Sequence, residues 1–175
     1  MTSGNSFPYL KEFVYGGIDG CVTTFAVVAG ATGAGLNSGI IIVLGFANLV
    51  ADGFSMSVGN YLSVKSGIAA EKKQAQNPTT RSPFQTAGAT FFSFIIIGFI
   101  PLLVYVLNYL ITIKAVWLFP VSGGLTLLAF LFIGFLRSYV TNTSRFKSIL
   151  ETLLLGGIAA LLAYFTGSIL ESMLL

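Results

Sequence analysis

The sequence predicts an all-α membrane protein with five transmembrane helices, and two observations carry that prediction. Of the 175 residues, 55% are hydrophobic and only 9% are charged, whereas a soluble domain carries about 25% charged residues. Uncharged apolar stretches, each long enough to cross a bilayer as a helix of ~20 residues, recur along the chain. Together these features argue against a soluble enzyme, a nucleic-acid-binding protein and a disordered chain.

The boundaries of the predicted helices follow from the uncharged runs and from the turn residues between them. We predict one transmembrane domain over residues 1–175, with helices at about 13–35, 39–64, 87–110, 115–136 and 148–170 and a short cytoplasmic connector over 65–83. The run of Gly, Asn and Ser at 33–39 is typical of a tight turn and divides the first helix from the second. Good helix formers after Lys65 would allow the second helix to continue to about Gln76, before Asn77-Pro78 ends it. Pro101 is expected to kink the third helix.

The basic residues are distributed unequally between the two sides of the predicted membrane domain. One side carries Lys11, Lys65, Lys72, Lys73, Arg81, Arg137, Arg145 and Lys147, and the other carries Lys114. Because loops rich in Lys and Arg stay in the cytoplasm, this asymmetry predicts a cytoplasmic N-terminus. With five spans the C-terminus is then predicted to lie outside.

The residue types that are scarce limit the possible chemistry. The chain has no His and one Cys, which excludes a disulfide within the chain and a zinc site of the usual Cys/His kind. The sequences that mark metallo- and serine hydrolases are absent. Two aspartates on two helices leave an intramembrane aspartyl protease as a remote alternative, but the Gly-x-Gly-Asp that such a site needs is not present. We therefore expect no enzyme activity, no catalytic residue and no cofactor.

Two acids lie inside the predicted apolar helices, Asp19 in the first and Asp52 in the second. A charge within the membrane costs roughly 2.5–3.5 kcal/mol even on the lenient insertion scale, so such residues are functional candidates. Two alternatives remain open, because Asp19 could be hydrated near the cytoplasmic interface and Asp52 could make a structural hydrogen bond. Tyr15 and Thr23 lie one turn before and after Asp19, where each could line a pathway or contact a neighbouring helix.

The second helix places four potential ligand side chains at intervals of four residues. They are Asn48, Asp52, Met56 and Asn60. At 100° per residue they lie along one slowly winding face, over ~18 Å of helix. Carboxylate and amide oxygens suit hard or borderline cations, whereas a thioether is soft, so the mixture favours a borderline transition metal such as ferrous iron or manganese. The alternative for Met56 is ordinary packing in an apolar helix.

Two stretches make the sequence recognisable. The segment Gly17-Ile-Asp19-Gly20-Cys-Val-Thr-Thr-Phe-Ala-Val-Val-Ala-Gly30 and the segment from Gly45 through Asn48, Asp52 and Met56 to Ser63 resemble the first- and second-helix motifs of the vacuolar iron transporter family. The resemblance implies a homodimer that moves ferrous iron or manganese out of the cytoplasm in exchange for protons, along a path between the first two helices of both subunits. It also implies that Asp19 and Met56 coordinate the metal.

The candidate site combines both lines of reasoning. The candidate metal ligands are Asp19, Asn48, Asp52 and Met56, and the candidate pathway-lining residues are Tyr15, Thr23 and Asn60. The expected partners are a divalent metal ion, the lipid bilayer and a second copy of the chain, without nucleic acid. We expect an integral protein of a prokaryotic plasma membrane, or of the vacuolar membrane if the source is eukaryotic.

The chain departs from the family at three places. Asn48 and Asn60 stand where many members have an acid, and the glutamate-rich metal-collecting domain between the second and third helices is missing, which leaves Glu71 as its one acid. Asp52, one turn from Asn48, could replace a missing carboxylate in part. An alternative function is a non-transporting membrane partner or assembly protein that kept the fold.

Overall fold

The computed structural model describes residues 9–73 and 81–174, and within them the chain is helical and contains no strand. The helices are α1 (Leu10–Gly33), α2 (Ser38–Lys73), α3 (Pro83–Gly98), α4 (Leu103–Leu107), α5 (Ala115–Thr141) and α6 (Arg145–Leu174). A 3-10 turn, Ile100–Leu102, connects α3 to α4, and the two form one span, Pro83–Leu107. With α1, α2, α5 and α6, five helices of the described chain are long and apolar enough to cross a membrane, which confirms the predicted fold class.

Most of the helices extend beyond the apolar runs from which they were predicted. The second helix continues to Lys73, so residues 65–73 of the predicted connector are helical, whereas Gln76 lies outside the described residues. The fourth span ends at Thr141 and the last begins at Arg145, each a few residues outside the predicted bounds. Polar helix formers prolong the backbone hydrogen bonding past the hydrocarbon, and hydropathy cannot detect that extension.

Proline interrupts the third span where a kink was predicted. Pro101 lies within the 3-10 turn, and buried Ser122 of α5 donates a hydrogen bond of 2.6 Å to its carbonyl oxygen. Because proline has no backbone N–H and its ring clashes with the preceding turn, the regular helix stops there. This hydrogen bond joins the third span to α5 at the interruption.

Helix α1 lies at the centre of the bundle and contacts α2, α3, α5 and α6. Its approach to the third span depends on glycines. A Cβ at Gly20 would lie 2.5 Å from the carbonyl oxygen of Phe94, and a Cβ at Gly98 would lie 2.8 Å from the carbonyl oxygen of Gly20. Small residues let membrane helices reach this backbone-to-backbone distance, and here they hold α1 directly against the third span.

The basic residues gather at one end of the bundle, which we call the basic end. It comprises the start of α1, the C-terminal part of α2, the start of α3 and the turn between α5 and α6. The opposite end comprises the turn between α1 and α2 and the segment 108–114, where Lys114 lies. That the basic end faces the cytoplasm stays a prediction of the positive-inside pattern.

Candidate functional site

A four-residue turn sets the register of α1 and α2. Gly35 adopts φ +64°, a left-handed conformation that glycine tolerates. The N–H of Leu36 returns to the carbonyl of Ala31 at 2.9 Å, and the side chain of Asn37 accepts the N–H of Ile40 at 3.1 Å. The turn therefore closes one helix and caps the next, as expected for a left-handed glycine after a helix and an Asn before one.

The two intramembrane acids lie at matching positions on either side of this turn. Asp19 is fourteen residues before the end of α1 at Gly33, and Asp52 is fourteen residues after the start of α2 at Ser38. Both residues are half-buried, and because α1 and α2 contact each other and run in opposite directions from the turn, these matching positions lie at the same level of the bundle. A single copy of the chain thus places the two predicted acids at the same level of two neighbouring helices.

A hydrogen bond between Asn48 and Thr23 joins α1 and α2 one turn farther from the basic end than the two acids. Asn48 Nδ2 lies 3.5 Å from Thr23 Oγ1, to which it donates a long hydrogen bond. Thr23 Oγ1 in turn donates to the backbone carbonyl oxygen of Asp19 at 2.8 Å. Asn48 therefore lies at the interface of α1 and α2, which we call the α1–α2 seam, one turn beyond Asp52.

The sulfur ligand predicted at Met56 has a mixed environment. Met56 is half-buried and packs against the apolar cluster that includes Leu49 and Phe94. The register of the Thr23–Asn48 contact places it at the level of Tyr15, whose side chain is 62% exposed. Met56 therefore contributes to packing, and its position one turn from Asp52 also keeps it next to the acids.

Asn60 is engaged with another helix. Its Nδ2 donates to Thr90 Oγ1 of α3 at 2.6 Å, and Thr90 Oγ1 donates to the carbonyl of Thr86 at 3.1 Å. Ser57 makes a similar link, donating to the carbonyl of Ala87 at 3.0 Å. Polar contacts thus attach this part of α2 to α3. Of the four potential ligand residues predicted on one face of α2, Asn48 contacts α1 and Asn60 contacts α3.

The donor set available from one chain is small. In residues 9–73 and 81–174, no three His, Cys, Asp or Glu side chains come together in a group that could hold a metal ion. What the α1–α2 seam offers is two carboxylates, one amide oxygen and, one turn away, a thioether. Such a set suits a divalent cation that keeps some of its water or takes further ligands from a second copy.

Sequence reasoning missed one acid on α1. Glu12 is buried and forms an ion pair of 2.7 Å with Arg81, which lies just before α3. The available signal was spacing, because Glu12 precedes Asp19 by seven residues and therefore lies on the same face of α1.

The fold and the site define a polytopic helical membrane protein with a pair of acids within its first two spans. The VIT family model matches the chain over residues 10–81 and 67–168, which together make up most of it. The chain belongs to the VIT family. The two matches overlap over residues 67–81, which include the C-terminal end of α2.

Individual relatives agree with that assignment. A vacuolar iron transporter of Toxoplasma gondii is 42% identical over 77 residues, which are 42% of this chain and 26% of that protein. Vacuolar iron transporter homolog 3 of Arabidopsis thaliana is 31% identical over 166 residues, covering 89% of this chain and 80% of the relative. Vacuolar iron transporter 1 of Eucalyptus grandis is 26% identical over 220 residues, covering 93% and 87%. The last alignment is longer than this 175-residue chain, so that relative has residues without a counterpart here.

Proposed function

We propose that the protein carries a divalent transition metal ion, ferrous iron or manganese, across the membrane and out of the cytoplasm. The observation that supports this most is that Asp19 and Asp52 lie at the same level of two neighbouring helices, in a chain whose apolar spans carry few other charges. Two carboxylates held together in an apolar region repel each other, and a divalent cation between them would remove that repulsion. The names of the relatives support iron as a cargo of those proteins.

The ligand chemistry favours a transition metal over magnesium or calcium. Asp19 and Asp52 supply carboxylate oxygens, Asn48 supplies an amide oxygen, and Met56 supplies a soft sulfur that hard cations do not use. Tyr15, Thr23 and Asn60 would line the route beside this site. Because one chain provides few ligands, we propose that the working form is a homodimer in which a second copy completes the coordination.

Proton exchange follows from the same pair of acids. When a metal ion leaves two carboxylates in a poorly solvated place, their negative charges need compensation, and protons can provide it. The site would then alternate between a metal-bound and a protonated form. We propose that the membrane is a prokaryotic plasma membrane, or a vacuolar membrane in a eukaryote, and that the protein is a transporter rather than an enzyme.

The test is metal flux into vesicles that contain the purified protein. Manganese or ferrous iron added outside should quench a metal-sensitive dye trapped inside, at a rate that saturates with metal concentration, and empty vesicles should give only a slow leak. Calcium and magnesium should compete weakly. A dimeric protein that gives no flux above the leak for either metal would instead support the non-transporting alternative.

A further inference from the structure

An ion pair with one buried partner lies at the basic end of the face of α1 that carries Asp19. Arg81 Nη1 lies 2.7 Å from Glu12 Oε1. The two partners differ in exposure, since the side chain of Glu12 is 8% exposed and that of Arg81 is 41% exposed. The acid is therefore fixed inside the bundle, whereas the base reaches it from the surface.

The ion pair satisfies only half of the carboxylate. Glu12 Oε2 is buried and accepts no hydrogen bond from any residue in the described parts of the chain. An ionised carboxylate has room for about four hydrogen bonds, and leaving a buried oxygen unpaired is costly. A contact whose role was only to attach α1 to α3 would not need an acid with an unsatisfied oxygen, so the second oxygen requires another explanation.

The position of Glu12 supplies that explanation. It lies seven residues before Asp19 on α1, which is two helical turns and ~10 Å along the same face. The register of Thr23 with Asn48 brings Asn60 of α2 to the level of Glu12. A cation that enters at the basic end and moves toward Asp19 and Asp52 would thus meet Glu12 first.

We propose that Glu12 is a cation-binding position that precedes the Asp19–Asp52 site, and that the guanidinium of Arg81 occupies it until a divalent metal ion takes its place. This inference rests on the proposed function for the identity of the cargo. The metal ion would bind the open Oε2 and displace Arg81 from Oε1, and the released guanidinium, already partly exposed, would move into water. Arg81 would then act as a tethered competitor that raises the metal concentration needed for entry.

A binding measurement can test this without transport. The background is Asp19→Asn/Asp52→Asn, which removes the inner carboxylates, and the readout is the shift in melting temperature of the detergent-purified protein as manganese is added. In this background we expect Arg81→Gln to lower the half-saturating manganese concentration by at least about fivefold, the lower end of typical coupling between ligands. Adding Glu12→Gln to Arg81→Gln should abolish the manganese-dependent shift.

The chain offers a matched control. Arg137 and Glu151 form a second ion pair of 2.8 Å at the basic end, with side chains 27% and 42% exposed. Arg137→Gln removes an equivalent cation away from the α1 face and should leave the manganese response unchanged. An equal response in Arg81→Gln and in its parent, or a shift that survives Glu12→Gln, would overturn the proposal.

A further variant covers the case in which Arg81→Gln does not fold. Glu12→Gln in the otherwise wild-type chain keeps the size of the side chain and removes its charge, and we expect it to raise the half-saturating manganese concentration for flux in vesicles. An unchanged half-saturating concentration in a variant that still transports would contradict the role of Glu12. Wild-type vesicles without any flux would instead reject the proposed function, and the melting measurement would still test the cation position.

Discussion

Asn48 of α2 donates a hydrogen bond to the hydroxyl of Thr23 on α1, with 3.5 Å between Nδ2 and Oγ1. This contact aligns the two helices so that Asp19 and Asp52, each one turn nearer the basic end, lie at the same level. The register is set by the glycine turn at the far end of both helices. The turn therefore sets which residues of α1 and α2 lie level with each other four helical turns away.

The first prediction concerns the two acids. Asp19→Asn and Asp52→Asn keep the side-chain shape and remove one charge each, so each should reduce manganese flux in vesicles by at least about tenfold, as the loss of metal-supporting groups commonly does. The change Glu171→Gln, which neutralises an exposed acid at the far end of α6, should leave flux unchanged. Full flux in both Asp variants would show that the cargo takes another route.

The second prediction concerns metal preference. Met56→Leu nearly preserves volume and packing against Leu49 and Phe94, so stability should change by less than about 1.5 kcal/mol. It removes the thioether, and the ratio of iron to magnesium transport should fall. Competition assays at fixed iron concentration measure that ratio. An unchanged ratio would assign Met56 to packing alone.

The third prediction restores an acid to the seam. Asn48→Asp places a third carboxylate beside Asp19 and Asp52, which should tighten manganese binding, because affinity rises with ligand charge. Asn37→Asp is the matched control, since Asp also caps a helix well and position 37 lies in the turn between α1 and α2. Equal half-saturating manganese concentrations in both variants would mean that position 48 does not face the ion.

The fourth prediction concerns the packing that orients α1. Gly20→Ala would bring a Cβ to 2.5 Å from the carbonyl oxygen of Phe94, and overpacking of this kind costs about 1–3 kcal/mol. Melting in detergent should therefore occur at a lower temperature. Gly124→Ala, on α5, meets no atom within 4 Å and serves as the control. Equal melting temperatures for the two variants would show that the approach of α1 to the third span tolerates a methyl group.

The fifth prediction concerns protons. Vesicles that contain a pH-sensitive dye should report proton movement opposite to metal, and a proton gradient directed toward the cytoplasmic face should accelerate export. Asp52→Asn should remove the dye signal together with the flux. Metal movement at the same rate with and without the gradient, with a silent dye, would identify a uniporter or channel.

The fold class and the two intramembrane acids could be predicted from the sequence because both depend on local patterns. Uncharged runs indicate spans, and Asp19 and Asp52 stand out because charge is rare there. Asn48, Asp52, Met56 and Asn60 were predicted to share one face of α2, yet Asn60 donates a hydrogen bond to Thr90 of α3. Helical spacing gives the face of one helix but not which neighbour covers it, since that depends on the packing of three helices together.

Ion pairs between residues far apart in the chain could not be predicted from the sequence either. Glu12 pairs with Arg81, which is 69 residues away in the chain, and no spacing rule links them. The end of α5 at Thr141 and the start of α6 at Arg145 lie outside the predicted bounds, because the polar residues there carry no hydropathy signal. The continuation of α2 past Lys65 was expected from its helix formers.

Anomalous diffraction from crystals soaked in manganese tests the central claim most directly, because it locates the ion without assuming transport. The account predicts an anomalous peak between the carboxylates of Asp19 and Asp52, near the amide of Asn48, and predicts its loss in crystals of Asp52→Asn soaked in the same way. Manganese bound elsewhere in the wild-type crystals, with no peak between these two acids, would contradict the account.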